Sequence, residues 1–280
     1  MHYDTTGRSG GRGHRRATVC ISSQIGCKMG CKFCATGTMG LKGNLTAAEI
    51  IEQLVHARAV VDFRNVVFMG MGEPLNNYDA VKTAVQVLTD TKLFGISRQH
   101  VTISTVGVIG KIRQMAVDLK GVSLAFSLHA ATQDVRERIV PSARAYKLDK
   151  LMEALDDYMA ATEQRVFVEY VMLAHINDSR QEADAVGSLL HGRNVVLNLI
   201  PFNPTYAGEG IKFEAPPAET VLAFQEIVRS VYGVPCTVRQ TKGPDISGAC
   251  GQLVVQTSMA TGCSSHTAIV DVEELADGMR

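Results

Sequence analysis

From Ala17 to Gly233 the chain repeats one local pattern, a short apolar run followed by a stretch of helical periodicity. The apolar runs read ATVCISS, NVVFMGMG, HVTISTVG, VSLAFSLHA, VFVEYVML and VVLNLIPFNP. The helical stretches read LTAAEIIEQLVHA, YDAVKTAVQVLTD, LDKLMEALDDYMAA, RQEADAVGSLLHG and AETVLAFQEIVRSVYG. Strands that are apolar along their whole length are covered by helices on both faces. Strand-helix units in series pair in parallel through right-handed crossovers. The pattern therefore predicts an α/β fold and leaves two architectures open: a barrel, complete or partial, or an open doubly wound sheet. Thr46 with Glu49 makes a capping box ahead of Ile50, Ile51, Leu54 and Val55, and Gly233 stops the helix near residues 218 to 232. A chain of 280 residues, 46% hydrophobic, can bury a full core. No linker or domain break is expected after residue 17.

In both architectures the chemistry gathers at the C-terminal ends of the strands. Those ends read GMGEPLNN, STVG, SLHA, MLAHIND and IPFNP, each carrying Ser, His, Glu or Asn where the apolar run stops. Residues 1–16, MHYDTTGRSGGRGHRR, hold almost nothing that can pack and are expected to form a flexible Gly/Arg-rich arm. Its Arg8, Arg12, Arg15 and Arg16, with His14, either contact phosphates or form a solvated basic tail, and Tyr3 is the arm's one aromatic for base stacking. Lys plus Arg equals Asp plus Glu at 28 each, so overall charge neither argues for nucleic acid nor excludes it. No apolar run approaches the ~18 residues of a membrane span, and the N-terminus lacks a signal-peptide core. The expected setting is intracellular, cytoplasmic or organellar, without a membrane partner.

Four of the seven cysteines fall between Cys20 and Cys34. In a reducing compartment such a cluster points to metal or redox chemistry. Cys27-x3-Cys31-x2-Cys34 offers three thiolates from one tight loop, whose Gly26 and Gly30 let the backbone curl around a bound group. A structural zinc site normally closes with four N or S ligands in two separated pairs, and no second CxxC pair follows. A 4Fe-4S cluster held by three cysteines keeps one iron open for a small molecule. A zinc loop completed by His14, His56 or another histidine stands as the alternative. Cys236 and Cys263 read as buried, inert fillers.

In GMGEPL the glycines Gly70 and Gly72 permit close approach of a ligand to the backbone, and Glu73 can accept a hydrogen bond from an ammonium group. The bland reading is a strand-to-helix turn with an exposed glutamate. Ser104, the run Ser127, Leu128 and His129, and Asn203 sit at further strand ends, where together they fit a polar pocket.

CKMGCKFC, with Phe33 before its last cysteine, resembles the CxxxCxxC signature of radical S-adenosylmethionine (SAM) enzymes. With TVCISSQIGC, VVFMGMGEPLNN, ISTVG, AFSLHA, EYVMLAHIND, LIPFNP and DISGACGQL in that order, residues 15 to 255 resemble the RlmN/Cfr family of radical SAM RNA methyltransferases. The resemblance implies a partial (βα)6 TIM-like barrel over residues 17–255, with 256–280 as a C-terminal tail. It implies a 4Fe-4S cluster on Cys27, Cys31 and Cys34. It places SAM among Gly72, Glu73, Ser104, Ser127, Leu128, His129 and Asn203, two molecules per turnover. It makes Cys250 the methyl carrier and Cys20 the thiol that resolves the protein–RNA intermediate through a Cys20–Cys250 disulfide.

The implied reaction is methylation of adenosine carbon 2 in large-subunit ribosomal RNA, with transfer RNA as a further substrate and an external one-electron donor such as flavodoxin or ferredoxin. A carbon-8 methyltransferase and a non-catalytic iron–sulfur or RNA-binding relative stand as alternatives. The family's N-terminal accessory domain and base glutamate would fall before Met1. The chain is accordingly expected to be a fragment, an alternative start or a divergent member.

Overall fold

The computed structural model describes residues 17–204, 213–239 and 250–253. The arm 1–16, with its arginines, His14 and Tyr3, and the tail 256–280, with Cys263, lie outside the described residues. The strands are β1 (Thr18–Cys20), β2 (Gln24–Gly26), β3 (Leu41–Asn44), β4 (Asn65–Phe68), β5 (Val101–Thr105), β6 (Ser123–Ser127), β7 (Val166–Met172), β8 (Val195–Pro201) and β9 (Cys236–Val238). The helices are α1 (Ala35–Thr38), α2 (Ala47–Val60), α3 (Tyr78–Thr89), α4 (Ile109–Asp118), α5 (Gln133–Ile139), α6 (Leu148–Thr162), α7 (Arg180–Leu190) and α8 (Ala218–Ser230).

The main sheet has seven parallel strands in the order β1-β4-β5-β6-β7-β8-β9. This order resolves the two architectures. A doubly wound sheet reverses its strand order at a switch point, whereas here every strand follows its predecessor in one direction. The sheet is a curled half-barrel, and β1 and β9 end it without pairing to each other among the described residues. Six of its strands are those read from the sequence; β9 is an addition, and it carries Cys236, which is buried as expected of a filler.

Alternation within the strands sets what faces where. Val166, Val168, Tyr170 and Met172 of β7 are fully buried in the layer under the helices. Glu169 and Val171, between them, face the barrel interior. One continuous core runs from Ala17 through Cys236. The capping box forms as expected: the Thr46 hydroxyl accepts from the Glu49 N–H, and the Glu49 carboxylate accepts from the Thr46 N–H at 2.7 Å. Of the apolar face it introduces, Ile50 and Leu54 are buried and Val55 is exposed. Gly233 turns the chain after α8 with φ +67°.

A second, two-stranded sheet pairs β2 antiparallel to β3. It is built into the crossover from β1 to β4, and its two strands bracket the cysteine loop. Gly26 has φ +72°, and a Cβ there would lie 1.9 Å from the Gly40 carbonyl oxygen. Only glycine allows the two ends of the loop to touch at this point. Among the described residues no helix is long and apolar enough to cross a membrane.

Candidate functional site

A single cavity at the C-terminal ends of the strands gathers Cys27, Cys31, Cys34, Gly72, Glu73, Ser104, Ser127, His129, Asn203 and Cys250. These are ten of the residues singled out from the sequence, drawn from positions up to 223 residues apart, 27 to 250, in the chain. Two others are placed differently. Leu128 is fully buried in the main core, its N–H donates to the Glu169 carbonyl at 3.0 Å, and its own carbonyl accepts from Arg136 Nε at 3.0 Å. Cys20 ends β1 and does not line the cavity. It lies within electrostatic reach of Cys250 and Arg239.

The three clustered thiols are held from behind by the backbone. Cys27 N–H donates to Gly40 O at 3.1 Å, Cys34 N–H to Cys31 O at 3.2 Å, and Lys32 N–H to Ile139 O at 2.9 Å. Gly37 of α1 packs so closely that a Cβ would come within 2.6 Å of Cys31 O. Burial pushes the Cys27 thiol up to about 11, and it pushes Cys31 well above the ordinary thiol range, with the neighbouring cysteines adding to the rise. Such thiols are protonated until cations draw them into thiolate form. Among the described residues, no three His, Cys, Asp or Glu side chains converge to hold a single metal ion. Three thiols of one loop, all lining one cavity, suit a 4Fe-4S cluster that keeps one iron open.

Glu73 is buried and not the exposed turn residue of the bland reading. Its Oε1 accepts from Leu75 N–H at 3.0 Å and its Oε2 from Val106 N–H at 2.8 Å, so the carboxylate ties the end of β4 to the end of β5. Its own N–H donates to Gln24 Oε1 at 2.9 Å. Burial lifts its pKa to about 7 against the pull of these hydrogen bonds. Gly72, at φ +103°, has room for no side chain, because a Cβ would lie 2.6 Å from that of Gln24.

His129 adopts φ +60° and is held by its surroundings. Its Nδ1 accepts from Val171 N–H at 3.1 Å, and its carbonyl accepts from the fully buried Asn177. The ring meets Phe33 edge-to-face at 4.9 Å. Burial, and then the Arg136 charge, lower its pKa to about 3. The imidazole is therefore neutral with its proton on Nε2, since Nδ1 is the acceptor.

The short segment around Cys250 lies across the cysteine loop. Ala35 N–H donates to Gly251 O at 2.7 Å, the Thr36 hydroxyl to Leu253 O at 2.6 Å, and Asn203 Nδ2 to Cys250 O at 3.4 Å. Burial, and then Cys250, push the Cys20 thiol up to about 12, with Arg239 opposing. Cys20 and Cys250 are not bonded to each other, so the expected Cys20–Cys250 disulfide is not present in this state. The two thiols belong to separate segments, β1 and the Cys250 turn, and nothing in either requires a permanent bond.

Three charged groups of this site escaped the sequence reading. Glu169 and Arg239 line the cavity, and Arg136 stands behind its wall. Glu169 interrupts the apolar run of β7, a signal that was available in VFVEYVM.

The Radical SAM superfamily model matches residues 21–185. The chain is 44% identical over 258 residues to the ribosomal RNA large subunit methyltransferase N of Nitrosopumilus maritimus, covering 90% of this chain and 71% of that protein. It is 44% identical over 245 residues to the dual-specificity RNA methyltransferase RlmN 1 of Myxococcus xanthus, covering 85% and 67%. A solved radical SAM methyltransferase from Sphaerobacter thermophilus superposes with a TM-score of 0.81 at 42% identity, over 85% of this chain and 70% of that one.

Proposed function

Because the chain belongs to the radical SAM superfamily and, within it, to the RlmN family of RNA methyltransferases, we propose that it methylates carbon 2 of an adenosine in large-subunit ribosomal RNA, with transfer RNA as a further substrate. The observation that carries this reading is the Cys250 turn, bonded across the three-thiol loop inside one cavity. Cys27, Cys31 and Cys34 would hold a 4Fe-4S cluster. Gly72, Glu73, Ser104, Ser127, His129 and Asn203 would surround SAM. When bound, these groups supply a methyl group and an organic radical able to remove a hydrogen atom.

The chain's own residues do the rest. Cys250 Sγ loses its proton and accepts the methyl group. After a hydrogen atom is removed from that methyl, Cys250 presents the carbon to the electron-poor ring position, forming a covalent protein–RNA adduct. The adduct carries an unpaired electron, which it must give up, the oxidised cluster held by Cys27, Cys31 and Cys34 being the acceptor that would take it, and it also loses the proton of the attacked ring carbon. The Cys20 thiolate then attacks Cys250 Sγ; the S–S bond forms as the S–C bond to the base breaks, and the electron pair leaves with carbon, which takes up a proton to complete the methyl group and restore the aromatic ring. Cys20 suits this late step because burial keeps it protonated at rest, and Arg239 favours the thiolate when it is needed. The apolar wall of Phe68, Val106 and Phe202 excludes water from the reacting carbon. A flavodoxin- or ferredoxin-like protein would supply electrons in the cytoplasm, where the spent disulfide can be reduced again.

The test is to incubate anaerobically reconstituted protein with large-subunit ribosomal RNA and SAM bearing a trideuterated methyl group, then to digest the RNA and weigh its nucleosides. The expected product is 2-methyladenosine retaining two of the three deuterium atoms. RNA without a labelled adenosine, treated with cluster-loaded protein, would contradict the reading.

A further inference from the structure

Arg136 plays no part in the mechanism above, yet it is the largest fully buried side chain described. It projects from α5, whose last residue, Ile139, receives the N–H of Lys32 in the middle of the cysteine loop. Its Nε donates to Leu128 O, and its Nη2 to Val106 O at 2.7 Å and Ser127 O at 3.1 Å. Nη1 is buried without a partner. The Phe126 ring lies 5.4 Å beneath the guanidinium. Every hydrogen bond it makes thus ends on a neutral carbonyl at the tips of β5 and β6.

A buried cation satisfied only by dipoles is costly, and proteins usually place an opposite charge beside it. Among the described residues Arg136 forms no ion pair with a carboxylate. Arg136 lies within electrostatic reach of Cys31 and His129, and two of the residues whose carbonyls it holds, Val106 and Ser127, line the same cavity as Cys31. Arg136 does not line the cavity, so it acts through the wall and touches neither substrate nor reacting atoms.

We propose that Arg136 is the buried counter-charge of the iron–sulfur cluster, a positioning residue that stabilises the cluster's reduced form from behind Cys31. The inference rests on the cluster assignment made above. Three thiolates on a 4Fe-4S core carry net negative charge, and reduction adds one electron without a proton. A fixed cation nearby stabilises the more negative state more strongly, the more so in a dry interior where Coulomb interactions are little screened. Removing the charge should make the cluster harder to reduce.

The experiment is a potentiometric titration of the reconstituted cluster, followed by electron paramagnetic resonance with dithionite as reductant, on wild type and Arg136→Gln at equal iron content. Glutamine keeps a donor for the strand-end carbonyls and deletes the charge. The expected result is a shift of the midpoint to more negative potential in Arg136→Gln. A midpoint equal to wild type, with the cluster fully loaded, would overturn the inference and leave the cluster assignment intact. Wild-type protein that binds no iron and sulfide would overturn both.

If Arg136→Gln does not fold or load, Arg136→Lys decides. A buried lysine loses its charge at lower pH than an exposed one. Its midpoint should approach wild type near about pH 6 and fall further below wild type by about pH 8.5, where the arginine keeps its charge and a buried amine does not. A midpoint that follows wild type at both values would contradict the proposal.

Discussion

The cysteine loop and the Glu73 corner face each other across one cavity and are built in opposite ways. In the loop the backbone is tied down by Gly40 O, Ile139 O and Gly251 O, while burial pushes the Cys27 and Cys31 thiols into their protonated forms. At the corner it is the side chain that is spoken for, because the Glu73 carboxylate accepts the Leu75 N–H of its own turn and the Val106 N–H just past the end of β5. The loop is thus a frame awaiting its ligand. The corner is a brace that holds its shape without one. The difference teaches that two residues of the same candidate site fail in different ways: a loop cysteine should fail in cofactor retention, and Glu73 in folding.

The largest effect expected is that of Cys31→Ser. Iron retention and methyl transfer should fall to background, at least ~10³-fold in rate, while the urea midpoint of the cluster-free protein stays near wild type. Glu73→Ala should do the reverse first. It leaves the buried Leu75 N–H and the part-buried Val106 N–H unpaired and should cost about 2 to 4 kcal/mol of cluster-free stability, read by urea denaturation. Equal destabilisation in the two variants would break the comparison. Gly26→Ala should come next, at about 1 to 3 kcal/mol, because its positive φ and the Gly40 carbonyl leave no room for a methyl group. Its iron content should fall with its stability.

The smallest effect is a pH dependence of the cluster-free protein. The His129 pKa drops from 6.5 to about 3 on folding. Its contribution is therefore fully present above pH 6.5 and is lost as pH falls toward 3. Glu73, raised from 4.5 to about 7, has the opposite sign: the folded state holds the extra proton, so its contribution grows as pH falls from 7 to 4.5. The two slopes oppose each other in wild type. His129→Asn keeps a residue tolerant of positive φ and removes one slope. Its thermal midpoint should rise relative to wild type as pH is lowered from 7 to 4.5, and a midpoint with the same pH profile as wild type would refute the assignment.

Much of this arrangement is legible in the chain because local pattern and function coincide. The strands end where their apolar runs end, so Ser104, Ser127, His129 and Asn203 could be assigned to one rim before any coordinates. The thiol spacing made the loop visible in the same way. What stayed hidden depends on tertiary placement. Barrel and doubly wound sheets share one strand-helix pattern and differ only in the side on which each crossover packs. The strands β2, β3 and β9 span three or four residues each, too few for a period to show. Leu128 lies next to two cavity residues, yet its side chain enters the core. Arg136 shares a helix face with Ile139 and Val140, positions that read as core, and a charge there gives no hint that it is buried until its carbonyl partners are seen.

The account rests above all on Cys250 as methyl carrier. The most direct measurement needs no RNA: load the cluster anaerobically, add SAM with a trideuterated methyl group, and weigh the peptide that contains Cys250. A trideuteromethyl group on Cys250, absent from Cys250→Ala, is the predicted result. An unmodified Cys250 in protein with an intact cluster would contradict the account.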